Sequence, residues 1–231
     1  MKIALFGISD IKLGKHNLKD PRLDRAHELV EADKKTYAQV DIVGEDELLD
    51  ADVLLATTDN KADLILRDLE FVETRLGRDP QPAERAALEK IKTLLEREEF
   101  LSSLAPEDRQ AVSAHSFITS KPISVANKEE LQQPDALLLR VFRESDYICF
   151  LTVGGKENRA WPIRKGTTAW EAAGSIHTDL QKGFIRAEIM GFEDFIAAGG
   201  ETQAKRAGKQ RLETKQYIMQ DYDLTNFRFN K

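Results

Sequence analysis

Short alternating hydrophobic runs and longer amphipathic stretches divide this chain of 231 residues into predicted strands and helices. Apolar runs at residues 2–6, 37–43 and 53–57 predict strands. The stretch 20–32 opens with Asp20-Pro21, which is typical of a helix start. Strands that alternate with helices in this way predict an α/β fold with a small parallel or mixed sheet.

Two amphipathic segments predict helices at about residues 60–76 and 83–101, because apolar side chains recur there at spacings of three and four. The turn Asp79-Pro80-Gln81-Pro82 is tight, so we expect an antiparallel helical hairpin that extends to about residue 113. Its charged outer face is either a solvated surface or an arm that docks on a larger partner. Residues 131–147 predict a short helix or a strand, and the pattern does not separate the two.

The stretch from Cys149 to Met190 has the most specific pattern. It contains an apolar run, a Gly-Gly turn and a second alternating run that ends at Arg164. A helical segment follows, and then a returning strand at residues 184–190. This order predicts a small curled sheet wrapped around one helix.

The helix of this stretch is expected to begin after a threonine cap, Thr167 or Thr168, with Trp170 and Ala173 facing inward. Two further strands are expected to close the sheet, at residues 217–219 and 224–229.

The charge is uneven along the chain. The net charge is −6, which argues against wholesale nucleic-acid binding. Residues 149–231 contain 13 Lys and Arg against 10 Asp and Glu, a balance of +3, which leaves −9 for the first 148 residues. A mildly basic end is compatible with a tail that contacts RNA phosphates, and also with ordinary variation.

The lone cysteine and the hydropathy exclude several classes of protein. Cys149 has no partner for an intramolecular disulfide and lies in an apolar run, so we expect a buried structural thiol. No metal-ligand spacing occurs, and no apolar run approaches the roughly 20 residues that span a bilayer. The first residues predict a strand and not a signal peptide, so we expect a cytoplasmic protein without a membrane partner. No motif for DNA binding is evident.

Four segments of the C-terminal third form a recognisable pattern: Glu157-Asn158-Arg159-Ala160-Trp161, Ile163-Arg164-Lys165-Gly166-Thr167, Ile176-His177-Thr178-Asp179 and Lys182-Gly183-Phe184-Ile185-Arg186. With these segments the sequence resembles the TGS domain, with a β-grasp-like (α+β) fold, of the YchF-type (Obg-related) P-loop NTPase family. The resemblance implies that this part binds RNA or a protein partner, in a translation or ribosome context.

The segment after the first strand resembles a damaged phosphate-binding loop. In G-x-x-x-x-G-K-[ST], backbone amides wrap a phosphate, the lysine reaches the outer phosphates and the hydroxyl holds Mg²⁺. Here six residues instead of four separate Gly7 from Gly14, and His16 follows Lys15 where a hydroxyl is required. Asp10 also places a carboxylate inside the loop. We therefore interpret Gly7, Gly14 and Lys15 as a remnant.

Two more segments resemble nucleotide-binding motifs of that family. Asp41-Ile42-Val43-Gly44 is similar to D-x-x-G, in which the aspartate contacts Mg²⁺ through water and the glycine contacts the terminal phosphate. The long switch region that follows it in the family is missing here. Asn127 and Glu130 match an N-x-x-E form that implies a preference for adenine. These residues predict at most residual binding of ATP or GTP with Mg²⁺, and more readily no cofactor.

Together these patterns predict two domains. Residues 1–147 are expected to form a reduced P-loop NTPase-like α/β domain that carries the helical hairpin, and residues 148–231 the TGS domain. The expected function is a non-catalytic RNA- or ribosome-associated module. The alternatives are a residual nucleotide-binding protein and a protein–protein adaptor that uses the hairpin. Candidate contacts to RNA or a partner are Arg159, Arg164, Lys165, His177, Lys182 and Arg186, although His177 also suits a structural role in a turn.

Overall fold

The computed structural model describes residues 1–101 and 104–230, which form a mixed α/β fold with two sheets. The strands are β1 (Lys2–Phe6), β2 (Gly14–Asn17), β3 (Lys34–Thr36), β4 (Gln39–Val43), β5 (Val53–Thr57), β6 (Ile123–Ala126), β7 (Tyr147–Thr152), β8 (Glu157–Arg164), β9 (Phe184–Met190), β10 (Arg211–Glu213) and β11 (Leu224–Phe229). The helices are α1 (Pro21–Leu29), α2 (Lys61–Leu76), α3 (Pro82–Glu96), α4 (Pro106–Ala111), α5 (Lys128–Leu131), α6 (Pro134–Glu144), α7 (Ala169–Ile176), α8 (Thr178–Lys182), α9 (Phe192–Ala198) and α10 (Glu201–Arg206).

The chain divides into two compact units whose composition differs from the predicted boundary. The first unit contains residues 1–16 and 40–137, and the second contains residues 17–39 together with the chain from residue 138 onward. Residues 17–39, which we expected in the first domain, therefore belong to the second. The reason is backbone pairing, because β3 lies parallel to β8 in the second sheet. The undecided stretch 131–147 contains helix α6.

The sheet of the first unit has the strand order β2-β4-β1-β5-β6. Strand β1 pairs in parallel with β4 and β5, and β5 pairs in parallel with β6. Parallel strands are usually buried on both faces, so their sequences are continuously apolar. Ile3 to Phe6 and Leu54 to Ala56 are such runs, and all of their side chains are buried. The carboxyl ends of β1, β5 and β6 therefore meet at one edge of the sheet.

Helices α2 and α3 form the predicted antiparallel hairpin. Val72, Leu88 and Ile91 pack in its core and are 0% exposed. The hairpin is fixed to the following segment by buried Asp68, whose carboxylate accepts the backbone N–H of Thr119 at 2.8 Å and its hydroxyl at 2.7 Å. The charged residues that the sequence places on the outer face are solvated side chains such as Glu89.

A charged cluster joins the two arms of this hairpin. Arg75 of α2 donates to Glu84 of α3 at 2.6 Å, and the His115 ring contacts the same carboxylate at 2.8 Å. The hydrogen bond from Arg75, followed by that from His115, lowers the pKa of Glu84 to about 2. The carboxylate therefore stays ionised and bridges the two helices over most of the pH range.

The sheet of the second unit has the order β10-β9-β11-β7-β8-β3. Helix α7 packs on it through Ala169, Ala172 and Ala173, all 0% exposed, because small side chains at this spacing let a helix approach a sheet closely. The cap is Thr168, whose side chain forms a capping box with Glu171. The expected inward position of Trp170 is wrong: this side chain is 40% exposed because it lies beside the alanine stripe and not on it.

The closing strands of the second unit differ from the predicted ones. The predicted strand at 217–219 is only an isolated bridge between Ile218 and Thr168, whereas the short strand β10 pairs with β9 instead. The predicted strand at 224–229 is β11, which lies between β9 and β7. Cys149 is buried in β7, as expected, and burial raises the pKa of its thiol.

Segment 17–39 is held in the second unit by two buried polar side chains. Asn158 is 0% exposed; its amide donates to the Val30 carbonyl at 2.5 Å and to His27 Nδ1 at 2.9 Å, and its oxygen accepts the Gly154 N–H at 2.8 Å. Asp20 caps α1 through the Arg22 N–H. These contacts explain why a polar segment forms part of the second core.

Candidate functional site

The main cleft of the first unit lies at the carboxyl ends of β1, β5 and β6. Its volume is about 650 Å³. In open parallel sheets ligands bind outside the carboxyl ends of the strands, where the strand order reverses, and β1 with β5 is such a point here. The cleft is lined by Gly7, Asp10, Thr57, Thr58, Asp59, Asn60, Ala126, Asn127, Lys128, Glu129, Leu131 and Gln132.

Gly7 begins the loop after β1, and both of its peptide groups are bonded to side chains of the same unit. Its N–H donates to Glu45 Oε1 at 3.1 Å, and its carbonyl accepts from Asn60 Nδ2 at 3.0 Å. Arg67 holds the other oxygen of Glu45 at 2.8 Å. Gly7 has a φ of +63°, and a Cβ built there would lie 1.7 Å from Asn60 Nδ2, so glycine is required. The first amide N–H of the loop, that of Gly7, therefore donates to the Glu45 carboxylate.

Gly14 and Lys15 do not lie in a phosphate-binding loop. They form strand β2 at the edge of the sheet, next to β4, and both are exposed. The described residues between β1 and β2 form no helix, so no helix N-terminus faces Gly7 from this segment. A phosphate loop of the usual kind places its lysine at such a terminus. Gly14 and Lys15 therefore form no phosphate cradle here, and their interpretation as a remnant of such a loop stays a prediction.

Asp41 lies away from Gly7, and Gly44 does not line the cleft. The parallel register places Asp41 beside Lys2, at the amino end of β1. Gly7 lies five positions after Lys2, which corresponds to about 16 Å along the strand. Gly44 precedes the 3-10 turn Glu45–Glu47 and does not line the cleft. The structure therefore does not bring the two residues of the D-x-x-G segment to the mouth of the cleft.

Asn127 and Glu130 stand at the carboxyl end of β6, where Asn127 lines the cleft. Their side chains form a capping box at the start of α5. Asn127 Oδ1 accepts the Glu130 N–H at 2.9 Å, and Glu130 Oε2 accepts the Asn127 N–H at 3.0 Å. The spacing N-x-x-E therefore has a structural explanation as a helix start, which the same pattern predicts.

The charge of the cleft is mostly negative. Three carboxylates line it, those of Asp10, Asp59 and Glu129, against one lysine. That lysine, Lys128, lies 3.5 Å from Asp59.

Sequence reasoning missed the run Thr57-Thr58-Asp59-Asn60. Its signal was available, because a polar run directly after a buried parallel strand belongs to the carboxyl edge of the sheet.

The cationic candidates of the second unit do not form one patch. Arg159 and Arg164 lie near opposite ends of β8, five residues and about 16 Å apart. The Arg159 guanidinium stacks 3.9 Å from the Trp161 ring centre, and that of Arg164 lies 4.8 Å from the Tyr147 ring. Both guanidiniums are therefore pre-oriented by aromatic faces.

The remaining candidates lie elsewhere on the second unit. Lys165 follows Arg164 and is exposed, and Arg186 is exposed on β9. His177 and Lys182 meet at a groove of about 900 Å³ between α8 and the end of β11. His177 is the N-cap of α8, where its Nδ1 accepts the Asp179 N–H at 3.2 Å. The structural role considered for His177 is thus present in the fold.

In residues 1–101 and 104–230, no group of three or more His, Cys, Asp or Glu side chains could hold a metal ion. No helix within the same residues is long and apolar enough to cross a membrane.

Comparisons with known proteins agree with the resemblance seen in the sequence. Residues 147–230 match the family YchF-GTPase_C, described as a protein of unknown function (DUF933). "Ribosome-binding ATPase YchF" of Haemophilus influenzae is 58% identical over 81 residues, which cover 35% of this chain and 22% of that protein. "Obg-like ATPase 1" of Pongo abelii is 54% identical over 81 residues, 35% of this chain and 20% of its own. The matched segment thus spans about a fifth of these relatives.

The fold similarity extends further than the sequence similarity. The structure of the Schizosaccharomyces pombe YchF GTPase superposes with a TM-score of 0.76 at 17% identity, and the match covers 99% of this chain and 97% of that one. The two chains therefore share a fold.

Proposed function

Because the C-terminal domain of this chain belongs to the YchF/Obg-like ATPase family and the whole chain has a YchF-like fold, we propose that the protein is a ribosome- or RNA-associated binding module of the cytoplasm. It acts through its C-terminal domain and does not hydrolyse nucleotide. The observation that carries this proposal is the 58% identity of that domain to a protein named for ribosome binding.

The first unit supports the non-catalytic part of the proposal. A nucleotide phosphate needs free backbone amides and a nearby cation. Here the Gly7 amide already donates to Glu45, and Lys15 lies on an edge strand. The cleft itself presents more carboxylates than cations. These residues do not fit Mg²⁺-bound phosphates, so in this proposal the first unit is a reduced NTPase-like scaffold.

The second unit supports RNA contact through its exposed cations. Arg164 and Lys165 lie side by side where β8 ends, and the aromatic face of Tyr147 orients the first of them. Side chains of this kind position a nucleic-acid backbone through its phosphates without reading its sequence. We expect these two residues to contribute most directly to RNA binding.

The test is a binding assay with purified ribosomes and with structured RNA at several salt concentrations. We expect binding that weakens as salt rises, and at least a tenfold loss in the double variant Arg164→Glu, Lys165→Glu. The matched control is Arg78→Glu, Arg97→Glu, which reverses two exposed charges of the helical hairpin and should leave binding unchanged. Equal binding by both double variants would argue against a phosphate contact at the end of β8.

A second candidate function is residual nucleotide binding, which the position of the cleft favours. ATP or GTP would then be held by base and sugar near Asn127 and not by its phosphates. Titration with a fluorescent ATP analogue and Mg²⁺ separates the two functions. Binding near micromolar affinity, or any release of phosphate above a buffer blank, would contradict the non-catalytic proposal.

A third candidate is a protein adaptor that uses the hairpin, favoured by two exposed apolar side chains of α2. Leu66 is 50% exposed and Phe71 is 40% exposed. Ribosome binding that is insensitive to salt and lost in Leu66→Ser would support this adaptor instead of an RNA contact.

A further inference from the structure

The groove between α8 and the end of β11 is a second surface of the C-terminal domain with unused binding groups. It is lined by His177, Asp179, Leu180, Lys182, Gly183, Phe229 and Asn230. Its volume of about 900 Å³ is large enough for a nucleotide. Most of its lining surface is apolar, and the Phe229 side chain is 38% exposed within it. An exposed aromatic ring in a groove is a stacking surface for a planar ligand.

The wall of the groove is held by a backbone hydrogen bond and a close backbone approach. The Asn230 N–H donates to the Gly183 carbonyl at 2.9 Å, which ties the end of β11 to the end of α8. A Cβ at Gly183 would lie 2.1 Å from the Asn230 carbonyl oxygen, so the two backbones approach as closely as glycine allows. The Phe229 ring is therefore presented by a fixed backbone, which lowers the entropy lost on binding.

Three polar groups line the same groove as this ring. Within residues 1–101 and 104–230, the Lys182 ammonium and the side-chain amide of Asn230 have no hydrogen bond or ion pair. When His177 Nδ1 accepts the Asp179 N–H, the neutral imidazole carries its proton on Nε2, which is then a donor. Arg186 adds a further exposed cation, in register with the residue before Phe229. The one lining carboxylate, that of Asp179, lies 3.4 Å from His177 Nδ1.

We propose that this groove binds an unpaired RNA base, which stacks on Phe229 while Lys182 contacts the adjacent phosphate. The Asn230 amide offers both a donor and an acceptor to the edge of the base. An apolar peptide would use the ring but would leave this amide and the cation without partners, so the observations favour RNA. Single-stranded RNA is recognised in this way, by stacking on aromatic side chains together with cations along the backbone. The inference rests on the proposed RNA association.

The experiment uses the full chain and a fluorescein-labelled oligouridylate of 12 nucleotides, with anisotropy as the readout. Phe229→Ala should weaken binding roughly 5- to 100-fold, the range for loss of one stacked base. Phe229→Tyr, which keeps the ring, should stay within about twofold of the original protein. Trp170→Ala is the matched control, because Trp170 is a similarly exposed aromatic side chain of the same domain. Lys182→Gln should reduce the dependence of binding on salt by about one phosphate contact.

The outcomes separate this inference from the proposed function. If Phe229→Ala binds oligouridylate as well as Trp170→Ala does, the groove is not the base site, and the effect of Arg164 and Lys165 on structured RNA still decides the function. If neither RNA binds, both proposals fail. Displacement of the RNA from this groove by duplex RNA or by an acidic amphipathic peptide at equal concentration would also overturn it. Should Phe229→Ala unfold, Phe229→Tyr and Lys182→Gln decide the result.

Discussion

Loss of the buried carboxylate of Asp20 should destabilise the second unit selectively. Asp20 is 3% exposed, caps α1 through the Arg22 N–H at 3.0 Å, and accepts the guanidinium groups of Arg22 and Arg143 at 2.8 Å each. Burial alone would raise the pKa of Asp20, but the hydrogen bonds from Arg22 and then Arg143 outweigh it and hold the pKa below its ordinary value.

The magnitude follows from the groups that lose their partner in Asp20→Ala. Loss of an N-cap costs about 1 kcal/mol. Hydrogen bonds to a charged group contribute about 1.5 kcal/mol or more. Both guanidiniums reach solvent, so we take about 1.5 kcal/mol for the two together. We therefore expect a loss of about 2.5 kcal/mol, which shifts the urea midpoint by about 1.7 M at a slope near 1.5 kcal/mol/M.

The assay is urea unfolding followed by tryptophan fluorescence, because Trp161 and Trp170 both lie in the second unit and report on it alone. Asp20→Asn keeps the cap oxygen and should cost about half as much as Asp20→Ala. A carboxylate whose pKa is lower in the folded protein than in the unfolded chain stabilises the fold at pH values above its unfolded-state pKa. The difference in stability between the original protein and Asp20→Asn should therefore vanish as the pH falls through the pKa of Asp20 in the folded protein. The control is Glu28→Gln, an exposed carboxylate on the same helix.

A change below about 0.5 kcal/mol in Asp20→Asn at pH 7, or a difference that persists at strongly acid pH, would refute the reasoning. Either result would mean that the carboxylate is not the partner on which the two guanidiniums depend.

Three further changes test other contacts. Gly7→Ala should destabilise the first unit by about 2 kcal/mol, because the left-handed φ and the clash with Asn60 act together. Gly14→Ala should cost less, because the space around Gly14 is open. Thermal unfolding followed by circular dichroism compares the two variants. Asn158→Ala should cost about 3 kcal/mol by tryptophan fluorescence, because it leaves two partly buried backbone groups, the Gly154 N–H and the Val30 carbonyl, unpaired. The original protein has stability from the ionised Glu84 carboxylate above pH about 4.5 and loses it as the pH falls toward about 2. Glu84→Gln should remove this pH-dependent stability, and the control Glu89→Gln should keep it. Hydrogen exchange of the hairpin amides measures the difference.

Each of these changes has an outcome that would count against it. Equal melting of Gly7→Ala and Gly14→Ala would show that the loop after β1 is not fixed by Asn60. A near-neutral Asn158→Ala would mean that water replaces its hydrogen bonds. Acid-dependent exchange that survives in Glu84→Gln would assign the effect to another carboxylate.

The helical hairpin and the central strands of the second unit could be predicted because their hydrophobic period is long and regular. The short edge strands could not, since β3 and β10 have three residues each and exist only through pairing with β8 and β9. Helix α6 was ambiguous for a different reason, because a short apolar run fits both a helix and a strand. The transfer of residues 17–39 to the second unit depends on buried Asn158, whose hydrogen bonds join residues more than 100 positions apart.

The candidate site was predicted only in part, because motifs specify residue types and not their neighbours. Gly7 and Asn127 do meet at one cleft, since both follow parallel strands. The spacing that suggested base recognition by Asn127 and Glu130 is also that of a capping box, and the sequence contains no signal that separates the two. Gly14 and Lys15 form part of an edge strand because their backbone pairs with β4, and similarity to a motif does not predict such pairing.

The most direct test of the central claim is the salt dependence of binding to structured RNA, measured together with ATP hydrolysis in the same preparation. The account predicts an observed affinity that falls linearly with salt on logarithmic axes. It also predicts a slope smaller by about two contacts in Arg164→Gln, Lys165→Gln, and no hydrolysis above the buffer blank. A slope unchanged in that variant, or measurable turnover of ATP, would contradict it.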